Sequence, residues 1–219
     1  MKKKFIQILV LACFFILPAK AEILSIGLTG TAGMLDADGK ETFNGGDTKK
    51  SQDLFIAYAS GFVEAHTPVG IRIGLSYVPY GIDSDDSESI RINDNGTGEG
   101  DVSNKVSVSV QDLASLYLSY HLDAGFGEFF VKAGMMHGEL KTEEKLGTGS
   151  SYSDEFLEGT FFGAGMDKDL GNGVFVRGEA VVTDFDDIKT TSKGSKNVNT
   201  ITVSGLGGVN ASLSVGKSF

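Results

Sequence analysis

Three histidines, His66, His121 and His137, are the only side chains in this 219-residue chain that ionise near neutral pH. They are therefore its readiest general acids or bases. His66 and His121 fall beside short turns, where solvated or interfacial positions are expected. His137 falls near the far end of its own strand. Carboxylates are plentiful, but none shows the spacing of a catalytic pair. Asn93–Asn104 has the length of a calcium loop and a glycine, Gly98, at its sixth place. Its twelfth place is Asn104, not the bidentate glutamate, so the motif fails. The acidic segment around it (Asp83, Asp85, Asp86, Glu88, Asp94, Glu99 and Asp101) reads as a solvated loop with, at most, weak affinity for divalent cations. The single cysteine, Cys13, excludes a disulfide framework and a cysteine-based zinc site. No catalytic, cofactor-binding or metal-ligating residue is assigned, and the expectation is a protein that is not an enzyme and needs no cofactor. A second set of charges is more informative. Arg72, Lys132, Arg177 and Glu179, with Asp167 as a fifth candidate, stand in rows of small polar residues.

The elements that position them follow an export segment. Lys2, Lys3 and Lys4 precede an apolar run from Phe5 to Leu17, broken by Pro18, and Ala19-Lys20-Ala21 is a small-x-small cleavage site. Residues 1–21 read as a secretory signal peptide, and the run is too short for a spanning helix. Val10-Leu11-Ala12-Cys13 makes a poor lipobox, and the apolar run continues past the cysteine. The mature chain is expected to be 22–219. Thirty glycines, 15 phenylalanines, 3 prolines and no tryptophan give a β composition. The formal charge of −10 argues against nucleic acid as a partner.

After Glu22 the apolar residues recur every second position, the mark of strands with one apolar face. Leu24, Ile26, Leu28, Ala32 and Met34 alternate with Ser25, Gly27, Thr29, Thr31 and Gly33. Ile71, Ile73, Leu75 and Tyr77 alternate with Arg72, Gly74 and Ser76. Ala114, Leu116, Leu118, Tyr120 and Leu122 alternate with Ser115, Tyr117, Ser119 and His121. Segments 128–140, 174–183 and 200–219 do the same. Segments 54–66 and 155–166 are strand-like but ambiguous in face.

Connections alternate in length: long polar segments at 35–52, 81–105, 141–154 and 184–199, and short turns at 66–69, 123–127 and 167–173. Eight strands with this rhythm predict an all-β fold, an eight-stranded antiparallel up-and-down transmembrane β-barrel with short periplasmic turns. About 10 residues of tilted strand cross a bilayer. In a soluble, ligand-carrying barrel the polar face would be wetted and rich in Lys and Glu. Here it is mostly Ser, Gly and Thr, which suits a narrow, filled lumen. Charges in such a lumen must pair or reach trapped water. They form either a polar plug that fixes register or the lining of a gated small-solute pore.

The chain ends on Phe219, with Leu213, Val215 and Phe219 on the apolar row of its last strand. Together with the stretches Val69–Tyr77, Phe162–Leu170 and Val174–Ala180, this resembles the small eight-stranded OmpA/OmpX-type outer-membrane barrels of Gram-negative bacteria. Lys217 stands where that family often has an aromatic, and a lysine at a rim can snorkel. The resemblance implies a place in the outer membrane and contact with its lipid and lipopolysaccharide. It also implies delivery by periplasmic chaperones and the barrel-assembly machinery, with Phe219, Val215 and Leu213 as the terminal signal. A monomer is expected. The barrel pattern runs to Phe219, so cell-wall tethering is not carried over. Some such barrels are lipid A deacylases with a lipid-facing His-x-Ser; here the run is His137-Gly138-Glu139. The expected role is structural, adhesive or interactive, through surface loops whose ligand composition cannot name. A narrow channel and a lipid-modifying enzyme are the alternatives.

Overall fold

The computed structural model describes residues 23–219 apart from 44–45, 84–86, 92–101, 146–151 and 194–198. The signal peptide, its cleavage site, Cys13 and most of the calcium-loop-like segment lie outside the described residues. Eleven antiparallel strands form one sheet: β1 (Leu24–Phe43), β2 (Gly46–His66), β3 (Ile71–Tyr77), β4 (Ile82–Asp83), β5 (Ser87–Arg91), β6 (Val102–Asp123), β7 (Glu128–Lys145), β8 (Glu155–Gly171), β9 (Val174–Phe185), β10 (Ile188–Thr191) and β11 (Asn199–Ser218). β3, β4 and β5 pair in turn along β6 and make one stave; β10 pairs with β11 beyond the end of β9. Eight staves result. β1 pairs with both β2 and β11, from Ser25↔Ser218 to Phe43↔Asn199, so the sheet closes into a barrel. Closure leaves no ladder edge at this junction, which is what a lipid environment demands.

The alternation resolves into an apolar outer row and a mixed inner one. Leu28, Met34, Leu118, Met135, Val182, Val209 and Leu213 are all exposed on the outside, from 56% to 76%. Exposure of so many large apolar side chains is untenable in water and natural in hydrocarbon. The two ambiguous segments also resolve. In β2 the row Tyr58, Ser60, Phe62, Glu64 and His66 turns inward, while Phe55, Ala57, Ala59 and Val63 face out. In β8 Leu157, Phe161 and Asp167 are inside, and Phe156 and Phe162 outside.

Aromatic rings fill the lumen by lying over glycines of the neighbouring strands. A Cβ at Gly27 would collide with the Phe62 ring, one at Gly74 with Tyr117, one at Gly134 with Phe161, one at Gly165 with Phe130 and one at Gly216 with Phe175. The glycine-rich composition has a packing reason at these positions: each of the five glycines makes room for one inward ring.

The long polar segments depart from expectation. The region 35–52 is not an irregular loop, because β1 and β2 continue through it as a hairpin with Lys40↔Lys49 and Thr42↔Asp47 in register. β6, β7 and β11 likewise extend into the segments read as loops. Beyond the bilayer both faces are wet, so the period-two hydrophobic signal vanishes while the ladder persists. Lys40 and Thr42 bond the Asp47 carboxylate, each at 2.8 Å, and hold it below its usual pKa. At the opposite end the turns are tight. Thr67–Gly70 links β2 to β3, and Ala124 N–H donates to Gly127 O across the next turn. The expected 167–173 turn shrinks to Asn172-Gly173, with φ of 58° and 74°, the two left-handed positions of a type I′ hairpin. Asp167 thereby becomes a strand residue. The start of β1 meets the end of the chain here: Ile23 N–H donates to Phe219 O and Phe219 N–H to Leu24 O.

One part of the wall is incomplete. β2 pairs with β3 only from Gly61↔Tyr77 to His66↔Arg72. Above Gly61, among the described residues, its edge on that side has no ladder partner. The Ala59 N–H donates instead to the Tyr80 hydroxyl.

Candidate functional site

The inward charges gather in one layer across the lumen, toward the short-turn end. Neighbouring strands bring them to one level through the register. Arg72 lies opposite His66 and Ser119, Lys132 opposite Ser119, and Asp167 is the direct partner of both Glu128 and Arg177. Arg177 is central. It donates from Nη1 and Nη2 to Glu64 at 2.5 and 3.0 Å, and from Nε and Nη2 to Asp167 at 2.7 and 2.9 Å. Its guanidinium also sits 5.0 Å from the Phe130 ring and 5.4 Å from those of Phe62 and Phe175. Such a planar, five-donor cation suits bidentate pairing and ring stacking together.

Arg72 donates from Nη1 to Asp167 at 2.9 Å and from Nη2 to Glu128, and stands 3.8 Å from Glu64. Lys132 donates to both oxygens of Glu179, at 2.7 and 2.6 Å, and lies 4.7 Å from the centre of the Tyr117 ring. Tyr117 in turn donates to Glu64 at 3.0 Å. Of these groups only Glu128, at the rim, is substantially exposed (44% of its side chain); Glu64 is wholly buried.

The five charges marked in the sequence are thus in one network, but two of its acids, Glu64 and Glu128, were not marked. The partner expected for the arginines, Glu179, sits further along β9, level with Lys132, while Arg177 meets Glu64 and Asp167. Glu64 lay in a strand with apolar residues on both faces. A usable signal was there: only the Phe55, Ala57, Ala59, Val63 row is free of polar side chains, so Glu64 must be on the other.

The histidines divide. His121, expected at a solvated or interfacial turn, is buried to 7% exposure in the inward row of β6, its ring stacked 4.8 Å from Phe130. His66 is also drawn inside, its Nε2 2.8 Å from Ser25 Oγ. Burial follows from their parity: both continue an inward row to the strand's end. His137 faces outward beside Glu158, at 3.2 Å, with Phe156 stacked on it.

Above the charged layer lies a cavity of about 60 Å³, lined by hydroxyls such as Thr29, Thr31, Ser60 and Ser212 and by Phe161 and Val181. That volume holds a few water molecules. Below it the paired side chains and the rings of Phe130, Phe62 and Phe175 fill the section.

No protein-family model and no curated protein sequence matches the chain. Solved structures do. The outer membrane protein OprG from Pseudomonas aeruginosa superposes with a TM-score of 0.62 at 14% identity, over 91% of this chain and 97% of that one. The fold is that of an outer-membrane β-barrel. Neisserial surface protein A aligns over 87% of this chain and 97% of its own at 10% identity and a TM-score of 0.43. The Ail protein of Yersinia pestis, in complex with the heparin analogue sucrose octasulfate, aligns over 85% and 98% at 9% identity and 0.33. At these two scores the barrels differ too much in detail for either to carry an argument, and the fold assignment rests on OprG. In this barrel the terminal residues sit as an outer-membrane strand would place them. Leu213, Val215 and Phe219 face outward, and the Lys217 ammonium lies 5.3 Å over the Phe219 ring.

Proposed function

We propose that the chain is exported to the outer membrane of a Gram-negative bacterium and serves there as a non-enzymatic, non-conducting barrel. It carries its long hairpins on the cell surface in a structural, adhesive or interaction role. Its partners are outer-membrane lipid and lipopolysaccharide and, during delivery, periplasmic chaperones and the barrel-assembly machinery; it works as a monomer. The observation that supports this reading best is the charged layer. Seven charged side chains and three rings close the section, and buried pairs of this kind open only at a cost of several kcal/mol. The residues left to meet partners are those of the extended hairpins.

The test is labelling of intact cells with an impermeant maleimide. The only cysteine, Cys13, lies in the segment read as the signal peptide. Lys49→Cys, on the β1–β2 hairpin, is labelled in whole cells; Ala124→Cys, on a short turn, is labelled only after the outer membrane is opened. The reverse pattern rejects the topology, and no labelling of Lys49→Cys in an abundant, folded protein rejects surface display.

One observation favours a second reading, passage of small solutes. The unpaired edge of β2 above Gly61 adjoins the hydroxyl-lined cavity, with Tyr58 and Val78 among the residues around it. A solute would then leave through the wall rather than along the axis. Permeation of small solutes into proteoliposomes at the rate of protein-free vesicles removes this reading.

A further inference from the structure

His121, Glu128 and Asp167 converge at the short-turn mouth in a way the barrel itself does not require. The ring Nδ1 of His121 lies 3.6 Å from a Glu128 carboxylate oxygen and 3.7 Å from one of Asp167. One ligand atom from each of the three residues lies within 4.8 Å of the others. That Nδ1 is buried and has no hydrogen-bond partner. A buried nitrogen left unpaired is costly, so its orientation toward two carboxylates needs a reason. The ring is not free to turn away. Its Nε2 is held 2.9 Å from Ser119 Oγ, and its face is stacked on Phe130.

We infer that the short-turn mouth of the barrel binds a divalent transition-metal cation through His121 Nδ1, Glu128 and Asp167. One imidazole nitrogen and two carboxylates make a donor set for zinc-class ions; calcium and magnesium take oxygen ligands. At metal–ligand distances of about 2.0–2.2 Å, ligand atoms around a tetrahedral ion lie about 3.5 Å apart. The histidine's separations of 3.6 and 3.7 Å need little adjustment, and the third, between the two carboxylate oxygens, is within 4.8 Å. Ser119 acts as the second contact that fixes the ring and leaves Nδ1 as the ligating atom. Charge favours a cation as well: in the layer Glu64, Glu128, Asp167 and Glu179 face only Arg72, Lys132 and Arg177, one negative charge in excess. Glu128, partly exposed at the end of β7, provides the way in.

Arg72 is the competitor. Its two terminal nitrogens meet the same two oxygens, Asp167 Oδ2 and Glu128 Oε2, that face the histidine. Arg177 Nη2 also donates to Asp167 Oδ2, at 2.9 Å. A bound ion displaces the two Arg72 contacts and shares that oxygen with Arg177, and Arg72 falls back on Glu64, 3.8 Å away. The inference therefore predicts that removing the guanidinium tightens binding.

The experiment uses the untagged mature chain refolded in lipid, with folding verified by altered mobility of unboiled samples in SDS gels. Cobalt(II), followed by its visible absorption, and zinc, by calorimetry, are the probes. One ion per chain is expected. Glu128→Gln, at the rim, and His121→Gln each weaken binding about tenfold or more while the gel shift persists, and Arg72→Gln strengthens it. Absence of saturable binding to the folded wild type overturns the inference. So does binding that both Glu128→Gln and His121→Gln leave unchanged, which would place the ion elsewhere, for instance at His137 and Glu158. An Arg72→Gln protein that folds and binds no more tightly refutes the shared-oxygen geometry.

Discussion

Arg177 and Glu64 stand 113 positions apart in sequence and meet across the lumen through two hydrogen bonds, 2.5 and 3.0 Å long. Glu64 is wholly buried and Arg177 is 3% exposed, so each helps compensate the other for leaving water, alongside Asp167 for the arginine and Tyr117 for the glutamate. Such a pair adds little over a well-packed apolar substitute, but breaking it strands a buried charge. Arg177→Leu and Glu64→Leu are each expected to destabilise the barrel by about 3–5 kcal/mol in urea unfolding from lipid. The double variant costs less than the sum, because neither charge is then left alone. Additive losses would show that the two side chains act independently.

The glycine-and-ring packing gives a second expectation. Gly74→Ala places a methyl group against the Tyr117 ring, whose hydroxyl donates to Glu64. Overpacking of this kind costs about 1–3 kcal/mol. Gly30, where a Cβ meets nothing within 4 Å, is the control, and Gly30→Ala leaves stability nearly unchanged. Equal effects at both positions, measured by the same unfolding, would contradict the packing scheme.

How far these features were legible in the sequence depends on where each strand lies. In β1, β6, β7, β9 and β11 the outward row within the bilayer is apolar or glycine, so their faces followed from alternation alone. In β2 Ile56, Tyr58 and Phe62 point inward, because lumen glycines leave space for large side chains. Both faces then look apolar, and Glu64 was lost among them. Beyond the bilayer Lys40, Thr42, Asp47 and Lys49 carry no hydrophobic contrast, so a continuing ladder read as loop. His121 stood in an inward row but next to a turn. Proximity to the turn suggested solvent, whereas parity decided burial.

Phe219 separates assembly from final stability. Its ring is 59% exposed on the outer face, and its backbone closes the barrel against Ile23 and Leu24. Phe219→Ala keeps those backbone bonds and removes one interfacial ring. Refolding in vitro should weaken by about 1–3 kcal/mol at most. If the terminal residue is what the insertion machinery reads, abundance in the outer membrane of cells falls far more steeply than that. Normal abundance in cells would remove the terminal signal and leave the barrel itself untouched.

Tyr80 is expected to hold the incomplete wall between β2 and β3. Tyr80→Phe removes the hydroxyl to which the Ala59 amide donates. Hydrogen exchange at Ala59 should accelerate, while amides in the β2–β3 ladder from Gly61 onward keep their protection. Unchanged exchange at Ala59 would mean that another group closes this edge.

An ion-paired layer that closes the lumen, as proposed, passes no current. Single-channel recording of the purified mature chain in planar bilayers tests it most directly. A flat trace is expected at all holding potentials for wild-type protein whose unboiled gel mobility proves it folded. Discrete, voltage-proportional conductance steps from that same wild-type protein would contradict it.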